Sequence, residues 1–243
     1  MIDTAPLLLE SRHEVGVHLV RINRPAKRNA LNLALRQALA ATFERLADEA
    51  EVRCVVITGE GSCFVGGADV REMQGLGPYE VMERDIPRYW RPILRFPKPL
   101  IAAVNGPALG GGMELALQAD IILASEAATF GQPEIRLGLM PGAGGTQQLV
   151  RALGRHRAMR MLFTGEAIDA RTAHESGLVS EIVAADQLLD RALGLGRQIA
   201  AMPRVAVKLI KEVALAGLDL PLDAALSLER KAHMLLYASP DLR

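Results

Sequence analysis

Residues Gly106–Asp120 read "GPALGGGMELALQAD", and the three consecutive glycines constrain the fold of this chain more than any other feature. They lie between "LIAAVNG" (100–106), an apolar run that predicts a strand, and "GGMELALQ", which predicts a helix. Glycine loses more backbone freedom on folding than any other residue. A carboxylate such as Glu114 is rarely tolerated in a core without a partner. The fold must therefore gain something from both.

A strand, glycines and then a helix first suggest a phosphate cradle. The dinucleotide pattern G-x-G-x-x-G fails, because from Gly110 and Gly112 the third position is Leu115. The P-loop pattern fails too: Gly106 and Gly111 have the right gap, but Gly112 stands where a lysine is needed. Two readings stay open. In one, the glycines let another group approach the first N–H groups of the helix, which lack internal acceptors and lie at the positive end of its dipole. Aimed at a carbonyl oxygen that gains charge during reaction, such donors form an oxyanion hole, with Glu114 close by. In the other, the glycines only permit tight helix–strand packing, and Glu114 is a first-turn carboxylate favoured by the dipole.

Elsewhere the pattern alternates between strands and helices. "VGVHLVRI" (15–22) predicts a half-buried strand, and "VRCVVIT" (52–58) a buried one. Between them, Leu35, Leu39, Phe43, Leu46 and Ala50 fall on one face of a helix that starts at Leu33. "GGADVREM" (66–73) predicts a loop entering a helix with Asp69 as its N-cap. The segment 78–96 is apolar enough for a helix that Pro87 and Pro92 kink or divide, and "DIILAS" (120–125) predicts another strand. From about Ala185 the chain reads as helical, with Val205, Leu209, Val213 and Leu215 on one stripe and a last amphipathic run over 221–237. The expected organisation is an α/β core over 1–190 followed by a helical subdomain over 191–243.

Composition narrows the partners. Lys and Arg balance Asp and Glu at 28 each, so the formal net charge is zero, which argues against nucleic acid. No apolar run reaches the roughly 18 residues of a membrane span, and the start lacks the basic region of a secretory signal. Cys54 and Cys63 are too few for a disulfide framework and lack metal spacing, so a reducing, cytoplasmic setting is expected. His13, His18, His156, His174 and His233 are scattered without ligand spacing, and no metal is expected. "GEGSCF" is not a nucleophile elbow, since Ser62 lacks the second glycine.

Four ordered segments resemble a known family. "NRPAKRNALN" (23–32), "CFVGGADVREM" (63–73), "AVNGPALGGGMELALQADIILAS" (103–125) and "FGQPEIRLGLMPGAGGTQQLVRALG" (130–154) are similar to the enoyl-CoA hydratase/isomerase family, the crotonases. The resemblance implies an α/β fold built as a crotonase-like spiral of β-β-α turns, followed by a C-terminal helical subdomain that builds a homotrimer or a dimer of trimers. It also implies an oxyanion hole made by the amides of Ala68 and Gly111, which hold the thioester oxygen of an acyl-CoA. The family's two carboxylates match Glu114, which would activate water, and Glu134, which would protonate C2; the Gly142 amide would help hold the water. Ala68, Asp69, Val70 and Arg71 match the segment lining the thioester and pantetheine arm.

The implied activity is hydration of a 2-trans-enoyl-CoA, with no cofactor beyond the substrate itself. A Δ3,Δ2-enoyl-CoA isomerase is the nearest alternative, and a non-catalytic acyl-CoA- or RNA-binding member of the fold is the alternative from another class. Lys27 and Arg28 match the loop near the CoA nucleotide, where they either contact phosphate or are simply solvated. Trp90 and Tyr89 in "RYWRP" either wall an acyl pocket or pack in the core. Family sequences usually continue past "YASPDLR" (237–243) into a further helix, so trimer contacts and an adenine pocket are less fully implied than the two glutamates.

Overall fold

A computed structural model describes residues 5–239. Residues 1–4 and 240–243, at the outer ends of the two expected domains, lie outside the described residues. In chain order the elements are β1 (Leu8–His13), β2 (Val17–Ile22), α1 (Leu33–Asp48), β3 (Cys54–Gly59), α2 (Pro78–Glu83), α3 (Pro87–Leu94), β4 (Leu100–Val104), β5 (Ala108–Leu109) and α4 (Gly111–Leu117). There follow β6 (Ile121–Ser125), β7 (Thr129–Gly131), α5 (Gly145–Leu153), α6 (Arg155–Thr164), β8 (Ile168–Asp169), α7 (Ala170–Glu175), β9 (Glu181–Val183), α8 (Leu188–Ala200), α9 (Arg204–Gly217) and α10 (Leu222–Leu236). Short 3₁₀ turns cover Val70–Glu72 and Pro133–Leu137.

Six strands form one sheet in the order β1-β2-β3-β4-β6-β9, parallel except for the β1–β2 pair, and β5, β7 and β8 form a second, smaller sheet. The spiral follows from how the chain alternates between them. After β3, Val65 makes a bridge to Ala108 in β5. After β4 comes β5, and after β6 comes β7, where Phe130 pairs with Ala108. Each turn thus adds a long rung to the large sheet and a short rung to the small one, and a helix or 3₁₀ turn then carries the chain onward.

Both faces of the large sheet are covered. On one face α1 buries Leu35, Leu39, Phe43 and Leu46 in a core that also holds Phe64, Trp90, Phe96 and Phe130. On the other, Val17, Leu19, Val56, Ile101 and Leu123 meet Leu188, Ala192 and Leu193 of α8. Residues 190 and 191 both lie within α8, which belongs to this packing. By contrast, α9 contains no buried residue. Its Lys211 ammonium ties it to the core through the Asp120 carboxylate at 2.7 Å and the Lys98 carbonyl at 2.8 Å.

Several local expectations change. β2 is buried on both faces rather than one, because it lies inside the sheet with α8 on one side. Val15 precedes it in a left-handed turn at φ 58°. Helix α1 stops at Asp48, so Ala50 lies beyond it and is exposed. The segment 78–96 holds two helices, each opening on a proline where the missing N–H costs nothing, while Pro92 is accommodated inside the second. Among the described residues no helix is long and apolar enough to cross a membrane.

Candidate active site

The "NRPAKRN" loop ends in Asn29, whose left-handed backbone (φ 56°) and fully buried side chain fix its shape. Its Oδ1 accepts from the Arg24 amide at 2.8 Å, and its Nδ2 donates to the Cys63 and Glu60 carbonyls at 2.7 and 3.0 Å. This holds Arg28 against the "VGGAD" segment, where the Arg28 carbonyl accepts from the Gly66 amide at 2.8 Å. The Lys27 and Arg28 side chains are exposed.

Leu31 then bridges Ala68 in parallel: the Leu31 amide donates to Gly67 and the Asp69 amide to Leu31. Those flanking groups satisfy the bridge, so the Ala68 N–H points to the opposite side, toward Gly111. A Cβ placed on Gly111 would lie 3.9 Å from the Ala68 nitrogen. Both amides belong to equivalent places in successive turns, since Val65 pairs with Ala108 and each amide comes three residues later (65 to 68, 108 to 111). Among the described residues neither amide donates a hydrogen bond.

The three glycines do different things. Gly110 adopts φ 52°, and a Cβ there would approach Glu134 Oε1 to 2.9 Å. At Gly111 a Cβ would approach Leu31 Cδ1 to 3.0 Å. Gly112 lies so close to β5's neighbour segment that a Cβ would stand 2.1 Å from the Val65 carbonyl oxygen. The close-packing reading holds at Gly112.

Glu114, in the first turn of α4, is 4% exposed, and its Oε1 accepts from the Ala143 and Gly145 amides at 2.7 and 2.9 Å. Burial raises its pKa; the two amides and, more remotely, the Arg36 charge oppose that rise. Glu134, on the 3₁₀ turn after β7, is partly buried. Burial first, and then repulsion from Glu114, push its carboxyl up to about 7, against the pull of its own backbone N–H. With its amide oriented to satisfy both ends, the buried Gln132 donates to both oxygens of Glu134, at 3.0 and 3.1 Å. One carboxylate is thus pinned by two amides, and the other is poised to hold a proton near neutrality.

Of the predicted site residues, Ala68, Gly111, Glu114 and Glu134 converge. A Cβ on Gly142 would meet nothing within 4 Å, and the loop amides that reach Glu114 are its neighbours Ala143 and Gly145. Asp69 occupies the N-cap position of the 70–72 turn, but its side chain does not cap it; the carboxylate pairs with Arg24 at 3.3 Å. Val70 and Arg71 are exposed at the rim. Trp90 lies in the core with its Cζ2 4.0 Å from the Cβ position of Gly111, so it both packs and lines the site. Tyr89 is farther out, its hydroxyl accepting from Gln37 at 3.2 Å. Among the described residues no group of three or more His, Cys, Asp or Glu is placed to hold a metal. Sequence reasoning missed Gln132, Ala143, Gly145 and Arg36; only the position of Gln132 two residues before Glu134 gave any signal.

The enoyl-CoA hydratase/isomerase family model matches residues 12–243. A probable enoyl-CoA hydratase of Rhizobium meliloti (strain 1021) is 43% identical over 235 residues, covering 97% of this chain and 91% of that protein. The 2,3-dehydroadipyl-CoA hydratase of Escherichia coli (strain K12) is 42% identical over 234 residues, covering 96% and 91%. The solved structure of an enoyl-CoA hydratase from Bacillus anthracis superposes with a TM-score of 0.93 at 34% identity, covering 97% of this chain and 93% of that one.

Proposed function

Because this chain belongs to the enoyl-CoA hydratase/isomerase family, we propose that it hydrates 2-trans-enoyl-CoA thioesters to 3-hydroxyacyl-CoA at the Glu114–Glu134 site. The observation that carries the reading is the pair of unlike carboxylates beside two amides that donate to nothing else. The thioester oxygen accepts from Ala68 and Gly111. Ionised Glu114 takes a proton from water as the water oxygen bonds to C3. The C2–C3 π electrons move onto the thioester as an enolate, held by the two amides. The enolate then collapses, and C2 takes the proton from neutral Glu134. One proton is thus gained at Glu114 and one lost at Glu134, so the pair keeps a single proton overall.

One oxyanion donor contributes about 10²–10³ in rate and one general acid or base about 10²–10⁴. The acyl-CoA is the substrate, and these steps call on no other cofactor. Gly142 helps hold the water, Asp69 stabilises the oxyanion loop through Arg24, and Val70, Arg71, Lys27 and Arg28 line the path of the CoA arm. An isomerase needs only one carboxylate to shuttle a proton, so the second glutamate favours hydration. Exposed apolar faces on α9 and α10 support a homotrimer or a dimer of trimers, and a cytoplasmic setting suits an enzyme with buried free thiols.

Crotonyl-CoA tests the reading directly. The protein should lower the absorbance of the conjugated thioester toward its hydration equilibrium, and Glu114→Gln and Glu134→Gln should each lower kcat at least about 10²-fold while CoA-ester binding persists. Near wild-type turnover by either variant would remove that glutamate from the mechanism.

A further inference from the structure

Arg36 lies in the first turn of α1 and is only partly exposed, with its guanidinium carbon 5.7 Å from the centre of the Trp90 ring. It feels the charges of Glu114 and, less strongly, Glu72. Neither is bonded to it. Glu114 Oε1 is taken by two amides, and Glu72 accepts from the Leu33 amide at 2.8 Å. Among the described residues no carboxylate lies within ion-pairing distance of Arg36, and no acceptor takes a hydrogen bond from its side chain.

Beside it, Trp90 is 6% exposed, and its indole Nε1 has no hydrogen-bond partner. Its Cζ2 lies 4.0 Å from the point a Cβ on Gly111 would occupy, and by the covalent structure of indole Cζ2 and Nε1 lie on the same edge. That edge therefore lies on the Gly111 side of the ring.

These two groups can only donate: five N–H from the guanidinium and one from the indole. Buried donors are nearly always matched by an acceptor, and here none is supplied by the described residues. A carboxylate fits: it is planar, takes two parallel bonds from a guanidinium, and has lone pairs left for an indole N–H. The CoA phosphates are better matched by the exposed Arg28 and Arg71 than by a half-buried guanidinium against the buried Trp90.

We propose that Arg36 and Trp90 form a subsite for a carboxylate at the far end of the acyl group, so that the substrate is a 2-enoyl-CoA that is also an ω-carboxylic acid. This rests on the hydratase reading and adds the substrate class to it. Arg36 also offsets the repulsion such a substrate meets from Glu114.

The test compares trans-2-hexenedioyl-CoA, which carries a free carboxylate, with trans-2-hexenoyl-CoA, which does not, on the full chain. The ratio of their kcat/KM values should favour the diacid by about tenfold or more in the wild type. Arg36→Met should lower that ratio by about 10², Arg36→Lys by less, and Trp90→Phe several-fold. Calorimetric binding of the saturated esters adipoyl-CoA and hexanoyl-CoA gives the same comparison without turnover, and should show the same preference and the same loss. If hexenoyl-CoA is hydrated and the diacid is not preferred, the subsite is wrong and the hydratase stands. Equal losses on both esters in Arg36→Met would also overturn the subsite. If neither ester is hydrated but adipoyl-CoA still binds in preference through Arg36, the hydratase reading fails and the subsite survives.

Discussion

Glu114 and Glu134 carry the same side chain in different surroundings, and the difference reaches beyond catalysis. Glu134 is raised to about 7, so between its unfolded value and neutrality the folded protein holds a proton that the unfolded chain does not. That contribution is present at acid pH and is lost as pH rises through about 7, when the partly buried carboxylate ionises beside Glu114. Glu134→Gln should therefore be more stable than wild type at about pH 8, by about 1 kcal/mol after allowing for partial solvent access, and should show no such gain near pH 5. Thermal unfolding at the two pH values checks this; a variant less stable at both would contradict it. In the same pH range, wild-type hydration should fall on the alkaline side as Glu134 loses its proton, which a pH profile of kcat/KM reads. The two glutamates were legible from the motifs around them. Gln132, the Ala143 and Gly145 amides and Arg36 were not, because each acts only once loops distant in sequence have met.

At the scale of elements, α4 shows why a short helix needs three glycines. Gly112 leaves no room for a methyl against the Val65 carbonyl, whereas Gly142 faces open space. Gly112→Ala should cost at least about 2 kcal/mol of stability by overpacking, and Gly142→Ala less than about 0.5. Denaturant midpoints distinguish them, and a harmless Gly112→Ala would mean the two turns are not in such close contact. Helix α1 was readable because its period of apolar residues is long; the fold adds an Asn32 cap, which accepts from the Leu35 amide. Strands β5 and β8 were not, since two residues carry no period. β1 escaped because its burial is slight along most of its length.

Across the whole molecule, α9 and α10 pack on one another yet leave Ile210, Leu218, Leu222 and Leu235 exposed. Sedimentation at micromolar concentration should find a trimer or a dimer of trimers, and Ile210→Glu combined with Leu222→Glu should shift it to smaller species. A wild-type monomer would show that these faces are covered by something else. The alternation of strands and helices was visible in the sequence, but the coiling was not: parallel rungs pair residues twenty or more positions apart, and only the family resemblance pointed to it. That coiling has a consequence for how such a chain can change. The Ala68 and Gly111 amides and Glu134 hang from consecutive rungs of one ladder, and Gly110 is clamped to Gly131 by a 2.8 Å bond between rungs. Lengthening a loop at the outer edge of a coil leaves the ladder in step. Deleting a single residue between 65 and 68, or between 108 and 111, slides one reactive group out of phase with the others, so a small lesion there would silence the chemistry more completely than a large insertion outside.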